Sequence, residues 1–436
     1  MNITEKIREQ YNNQPYPRFP LEQTPKYDIK TLYYHNLTTA YYQRYHQVID
    51  SENKVILDAG CGSGYTSLTL ACANPKAKII GIDLSEKSIE IAQKRLEYHG
   101  FNQGKFYVLA LEDLPKLNIK FDYINCDETL YFLPDPMQGL KAMGAVLKPG
   151  GIIRANLHNA TQRIHYYQAQ QLFKMMGLFE KNPEYFAIEV VRKTIKELKD
   201  NVFHKAMIWK PEFETDDQRI LMNYLIQGDQ GYTISEMFKM IKNAGLEFIS
   251  MVNWREWELM DLFKNVDELP IFLAMTIAET SIEDRLCMYE YLPPVHRLLD
   301  FWCGNPQPET ESEYLPVSEW EDQQWQKTRV YLHPQLQTAE FYTEIVHSIQ
   351  QRCNLELTKY LCLEEKYIDV DYLMSACLLR LWEKPILMGE LVQLWQKIRP
   401  LNPLTLEETT REEAFAVIKN ELIWLEAAGY ILLGKE

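Results

Sequence analysis

The chain has 436 residues, 46% hydrophobic and 25% charged, with a formal net charge of −15 at pH 7. That length exceeds one modest core and predicts two or three globular domains of ordinary composition. So large an acidic excess argues against an extended phosphate-binding face, because nucleic-acid affinity rests on Lys and Arg neutralising phosphates. No run approaches the ~20 consecutive apolar residues of a membrane span. The first residues, Met-Asn-Ile-Thr-Glu-Lys-Ile-Arg, lack the apolar core of a signal peptide. The eight cysteines form no Cys-x-x-Cys pair and no zinc-spaced Cys/His cluster. No metal is expected, and the compartment reads as reducing, hence cytoplasmic.

Residues 1–53 open with Tyr11-Asn-Asn-Gln-Pro-Tyr-Pro-Arg-Phe-Pro20, too proline-rich for a helix or a central strand. A helix crowded with aromatics follows over 31–49, including Tyr33, Tyr34, Tyr41, Tyr42 and Tyr45. From 54 the pattern changes. Val55, Ile56 and Leu57 form the apolar run of a doubly covered parallel strand. Asp58 and the alternating Gly60, Gly62 and Gly64 then read as a strand-to-helix turn that a small molecule can approach closely. Strands are expected at about 55–58, 78–83, 105–109, 121–126 and 151–157. Helices at 65–73, 85–98 and 136–147 and a shorter 110–117 segment separate them, which demands parallel pairing with ligands at the strands' carboxyl ends.

An insertion spans 158–230, with helical stretches at 160–177 and 184–200. It reads as a subdomain with a core of its own or as a cover for the neighbouring sheet end. A helix capped by Thr233 or Ser235 and a strand near 246–252 rejoin the sheet, so this domain is expected over 54–255. Helical periodicity dominates 256–436. There Asp300-Phe-Trp-Cys-Gly-Asn-Pro-Gln-Pro-Glu-Thr-Glu-Ser-Glu313 reads as a linker, and 385–436 resembles a winged-helix terminus. The acidity of 406–427 favours a protein-facing or packing role there over DNA reading.

The spacing Asp58-x-Gly60-x-Gly62-x-Gly64 departs from the dinucleotide fingerprint G-x-G-x-x-G, whose third glycine would fall on Tyr65. A leading carboxylate suits a cationic ligand and suits a pyrophosphate poorly. The second strand ends on Asp83, about where ribose hydroxyls would sit, ~20 residues past the glycines. With Leu111-Glu112-Asp113-Leu114, Phe121-Asp-Tyr-Ile-Asn-Cys126 and Leu147-Lys-Pro-Gly-Gly-Ile-Ile153 in order, residues 54–157 resemble a class I S-adenosylmethionine-dependent methyltransferase.

The resemblance implies an α/β fold: a Rossmann-like, seven-stranded, mostly parallel sheet followed by a mainly helical C-terminal region. It implies S-adenosyl-L-methionine as cofactor. Asp58, Gly60, Cys61, Gly62 and Gly64 would cradle its methionine part. Asp83 would take the ribose and Leu84 lie along the adenosine, with Glu112 or Asp113 at the adenine. Residues 1–53 would form a lid over the cofactor, or else an arm held by aromatic packing. Asp127, Glu128 and Tyr131 follow the fourth strand, where the methyl group would face. Asp127 or Glu128 could receive a proton or hold a cationic acceptor, Asp127 also bordering the cofactor, and Tyr131 could line the pocket. After the fifth strand, His158 could deprotonate a hydroxyl. The Asn-Pro-Pro-Tyr/Phe signature for planar nitrogens is absent. Two acceptors stay open, a protein side chain such as lysine or a small metabolite, as does a cofactor-binding scaffold without catalysis. The helical region, loosely like that of bacterial protein-lysine methyltransferases, would recruit the substrate or build a homo-oligomer.

Overall fold

The computed structural model describes residues 3–180, 185–293, 296–307, 315–363 and 367–435. The chain divides into two units that alternate along the sequence. The first holds 1–23, 54–68 and 78–306; the second holds 24–53, 69–77 and 307–436. Among the described residues no helix is long and apolar enough to cross a membrane.

The first unit is built on one sheet. Its strands are β1 (Val55–Ala59), β2 (Lys78–Asp83), β3 (Lys105–Val108), β4 (Phe121–Cys126), β5 (Leu147–Asn159), β6 (Gly231–Tyr232), β7 (Glu247–Met251) and β8 (Leu298–Gly304). Their order is β3-β2-β1-β4-β5-β8-β7, with the two-residue β6 beside β5. The strands β1 to β5 pair in parallel, while β8 runs antiparallel to both β5 and β7. Every residue of β4 is buried, as its central place requires. The order reverses between β1 and β4, so a crevice opens beyond their carboxyl ends. Helix starts follow side-chain chemistry. Ser85 accepts from Ser88 N to begin Glu86–Tyr98, and Thr233 forms a capping box with Glu236 to begin Ile234–Asn243.

Two boundaries differ from the sequence reading. The stretch expected as a linker from 300 begins inside β8, and the first unit continues to 306 rather than closing near 255. Apolar Leu298, Leu299, Phe301 and Trp302 fill the gap between β5 and β7, and the turn-forming residues begin only at Gly304. The remainder of that stretch, 308–313, lies outside the described residues, as do residues 1 and 2 of the expected lid. The insertion has its own core, with Phe173, Val191, Ile220 and Tyr224 packed between helices Ala160–Met175, Tyr185–Glu197 and Asp217–Tyr224.

The second unit holds strands β9 (Thr328–Leu332), β10 (Leu355–Glu356), β11 (Asp369–Val370), β12 (Ile386–Leu387) and β13 (Ile431–Lys435). Three of them form a sheet ordered β12-β9-β13, against which helices Tyr372–Glu383, Met388–Ile398 and Arg411–Ala427 pack. The strand after the last helix pairs with the early β9. The aromatic helices Ile29–His35 and Leu37–Tyr45 belong to this unit. There the Tyr33 ring packs at a tilt against His333, 4.4 Å between centroids, and the Tyr42 hydroxyl donates to Glu426 at 2.8 Å. The expected lid is therefore divided, because residues 24–53 bury Tyr33, Tyr34, Tyr41 and Tyr42 in the second unit and only 3–23 stay with the crevice.

Candidate active site

A cavity of about 300 Å³ lies at the carboxyl ends of β1, β2 and β4. Its floor is the glycine loop. Gly60 N and Cys61 N both donate to the Ile82 carbonyl, at 2.8 and 2.9 Å, tying the end of β1 to β2. Gly60 has φ +82°, and a Cβ there would stand 2.2 Å from Thr129 Oγ1. At Gly62, φ is +49° and a Cβ would meet the Tyr16 carbonyl oxygen at 2.3 Å. Only glycine satisfies both the conformation and the close approach. The N-terminal strap is bound to this loop: the Tyr16 carbonyl accepts from Ser63 N at 2.8 Å and Ser63 Oγ donates to Pro17 O at 2.6 Å. Arg95 donates to the carbonyls of Ser63, Pro20 and Phe19 at 3.0, 2.7 and 2.8 Å. Ile7, Arg8 and Tyr11 of helix Ile3–Asn13 complete the wall.

Asp83 reaches the cavity from the tip of β2. Its two oxygens accept from Gly62 N at 2.9 Å and Ser85 N at 2.8 Å, and burial raises its pKa against those bonds. The Leu84 N–H also bonds to this carboxylate, and of about four lone-pair positions one remains for a further donor. Ile82, Leu84, Leu109 and Leu111 give an apolar wall beyond it, with Glu112 at the edge.

The opposite end carries charge. Asp127 and Glu128 follow β4 directly and both line the cavity. Asp127 Oδ1 accepts from Asn156 Nδ2 at 2.5 Å; burial raises its pKa, opposed by the charge of Arg154. Arg154 is itself bound through two donors to Asp300, at 3.1 and 2.7 Å. Glu128 adopts φ +52°, uncommon for a non-glycine residue, with its N–H donated to Asn156 Oδ1 at 2.8 Å. Its carboxylate accepts from the Tyr131 hydroxyl at 2.6 Å and from both Arg297 nitrogens, Nη1 at 3.1 Å and Nη2 closer. Burial opposes its ionisation, but the Arg297 charge and these bonds together hold it below the ordinary range.

Arg297 Nη1 also meets His158 Nε2 at 3.0 Å, while His158 Nδ1 lies 2.6 Å from Asp229 and its ring stacks on Tyr131 at 3.8 Å. A guanidinium can only donate, so Nε2 accepts and the proton sits on Nδ1, facing Asp229. Burial keeps this imidazole neutral by lowering its pKa, against the pull of the Asp229 bond. Asp229 accepts further bonds from Arg163 Nη2 at 3.0 Å and Gln170 Nε2 at 2.9 Å. Burial opposes its charge, yet His158 and Arg163 hold its pKa at about 2.

Of the residues expected from sequence, Gly60, Cys61, Gly62, Asp83, Leu84, Glu112, Asp127 and Glu128 line this cavity together. Five others do not. Asp58 lies under the loop with its carboxylate accepting from Ser67 Oγ at 2.6 Å and Asn125 Nδ2 at 3.2 Å, where burial raises its pKa to about 7. A Cβ on Gly64 would meet Ala92 Cα at 2.5 Å, so this glycine serves helix packing. Asp113 pairs with Lys116 at 2.8 Å on the surface. Tyr131 and His158 are buried behind Glu128, and His158, bound at both nitrogens, has no acceptor atom facing the cavity. Sequence reasoning missed Thr129, Asp229 and Arg297. No local motif marks the last two, which join the network across 71 and 139 residues.

The lining fits S-adenosylmethionine. The crowded glycine loop suits its methionine part, Asp83 with spare acceptor capacity suits a ribose diol, and the leucine wall with Glu112 suits an adenine and its amino group.

Residues 50–228 match the family model of a methyltransferase domain. An uncharacterized protein of Synechococcus sp. is 26% identical over 325 residues, 74% of this chain and 75% of that protein. The ubiquinone biosynthesis O-methyltransferase of Coxiella burnetii is 32% identical over 133 residues, 30% of this chain. That alignment spans 56% of the enzyme, so the chain covers about half the length of such relatives. The solved structure of PKMT2 from Rickettsia typhi in complex with AdoHcy superposes with a TM-score of 0.60 at 18% identity, covering 97% of this chain and 77% of that one. With its sheet order, glycine loop and matched model, the chain carries a class I, Rossmann-like methyltransferase domain whose cavity lining fits S-adenosylmethionine.

Proposed function

We propose that the protein methylates a lysine side-chain amine of an acceptor protein. The observation that carries this reading is the pair of carboxylates, Asp127 and Glu128, set beside the phenols of Tyr11 and Tyr16 in the cavity wall. Such a lining suits an acceptor that arrives as an ammonium ion. In this reading Gly60, Cys61, Gly62, Asp83, Leu84 and Glu112 hold the cofactor. Glu128, kept ionised by Arg297, attracts the acceptor cation. An amine must lose its proton before its lone pair can attack. Asp127, whose burial favours the protonated form, takes that proton at its carboxylate. When bound, S-adenosylmethionine supplies an already activated methyl group. The chain's own contribution is then alignment and the exclusion of water, for which Ile7 and Tyr11 cover the cavity. Tyr131, His158, Asp229 and Arg297 act behind this edge by fixing Glu128 rather than by touching substrate.

The fold shared with the protein-lysine methyltransferase PKMT2 along 97% of this chain supports a protein acceptor. The second reading, methylation of a metabolite hydroxyl, has the ubiquinone biosynthesis alignment in its favour. That alignment covers 30% of the chain. The discriminating experiment incubates the protein with methyl-labelled cofactor and separated lysate fractions, then hydrolyses the labelled material. Label is expected in precipitated protein, recovered as methyl-lysine. Label confined to metabolites, or to other amino acids, overturns the proposal.

A further inference from the structure

The strap that follows helix Ile3–Asn13, residues 14–23, forms neither helix nor strand. Pro15, Pro17 and Pro20 carry no amide proton, so the strap cannot join a ladder and its carbonyls need donors from elsewhere. Most of those donors belong to one element, helix Glu86–Tyr98 with its caps. At the helix start, Ser85 Oγ donates to Tyr11 O at 3.2 Å, just ahead of the strap. At its end, Arg95 reaches Phe19 O and Pro20 O, and His99 Nε2 donates to Leu21 O at 2.8 Å. A carbonyl only accepts, so this histidine nitrogen carries the proton.

Arg95 differs from the other donors. Its side chain is fully buried. The guanidinium is met by three backbone carbonyls, those of Ser63, Phe19 and Pro20, and among the described residues by no carboxylate. Carbonyl dipoles compensate a buried cation incompletely, so desolvation offsets part of what these bonds contribute. Lifting the strap would return the cation to water. The closed arrangement is therefore exact in geometry but shallow in energy, which suits a contact that must also release. Arg95 itself lies outside the cavity lining, whereas what it holds is part of that lining: Tyr16, Pro17 and Phe19. The Phe19 ring meets Tyr65 edge-on at 4.6 Å, and the Tyr16 carbonyl fills the space that a side chain on Gly62 would need. One guanidinium thus ties the strap to the glycine loop. We propose that Arg95 is a positioning residue that latches the strap over the bound cofactor, so that its release sets how fast S-adenosylmethionine leaves. The inference rests on S-adenosylmethionine as the occupant of the cavity and is independent of which acceptor is methylated.

The test loads the full-length protein with methyl-tritiated S-adenosylmethionine, without acceptor, and chases it with excess unlabelled cofactor to read the dissociation rate. Arg95→Lys keeps the charge but replaces a planar fork of donors by one ammonium, which cannot span all three carbonyls. Dissociation should quicken about tenfold, as for one lost charge-assisted bond, while association changes by no more than about twofold. A second readout follows the strap directly. Arg18 is exposed within it, and trypsin cuts after this residue only when the strap lifts. Loss of residues 1–18, read by mass, should be several-fold faster in Arg95→Lys, and saturating S-adenosylmethionine should slow it in the wild type. Should Arg95→Lys misfold, His99→Ala removes one strap bond and should quicken both processes about threefold. A folded Arg95→Lys with a lower unfolding temperature but unchanged dissociation and cleavage overturns the proposal, since a merely structural arginine would behave so. Wild-type cleavage indifferent to cofactor overturns it as well. A wild type that binds no S-adenosylmethionine overturns the reading of the cavity itself, and the latch with it.

Discussion

The two ends of the cavity are built by different means. The glycine-loop end is made from backbone and from residues close in sequence: the turn at 60–64, the tip of β2 and the strap that rests on them. The carboxylate end is a side-chain network gathered from β4, β5, the insertion and the approach to β8, with Asp127, Glu128, Asn156, His158, Asp229 and Arg297 as its members. Backbone cannot be mutated away except by occupying its space. A side-chain network can be dismantled one partner at a time, and it can be re-specified while the loop end stays constant. Under the proposed function, cofactor binding falls on the loop end and the acceptor on the network end.

The largest effect expected falls on the network. Asp229→Ala strands Arg163 and His158, both about 1% exposed, and should cost roughly 3–5 kcal/mol in a denaturant titration. A cost below about 1 kcal/mol would mean that the network is ornament and the comparison false. On the loop side, Asp58→Asn tests burial through pH. The folded carboxyl titrates at about 7, above its ordinary 3.8, so it favours the fold while protonated. Its contribution is complete below pH 4 and is lost as pH rises through 7, at most about 4 kcal/mol. The variant should flatten the stability profile across that window, and a profile identical to the wild type would place the proton elsewhere.

A smaller effect separates the ends functionally. Asp127→Asn should lower kcat about 100-fold, the range for a positioned proton acceptor, while calorimetry finds cofactor affinity within twofold of normal. Asp83→Ala should do the converse. Affinity should fall by about 1–2 kcal/mol through loss of charge-assisted hydrogen bonds, with kcat at saturating cofactor nearly retained. If both variants lost affinity and turnover alike, the two ends would not be separable.

The same contrast explains what was legible in the sequence. The glycine spacing, the acid ending β2, and Leu84 and Glu112 after the strands are local patterns, and the structure brings them to one cavity. Asp58 does not line the cavity, and an acid leading a glycine loop carries no sign in sequence of which way it turns. Ser67, nine residues on, captures it under the loop. His158 suggested a base, yet whether an imidazole is free depends on Asp229 and Arg297, whose approach no spacing rule encodes. The strand β8 resembles a linker in sequence because Gly304, Asn305 and Pro306 dominate its end, while its apolar start acquires meaning only between β5 and β7.

The alternation of the two units along the chain governs how this protein can be taken apart. The chain passes from one unit to the other five times, after residues 23, 53, 68, 77 and 306. A deletion of 300–436 would strip β8 from the first unit and still leave 24–53 and 69–77 without the rest of theirs. Neither half can be excised with a single scissors stroke, so a gene encoding either one alone would need rewiring, with splices at each crossing.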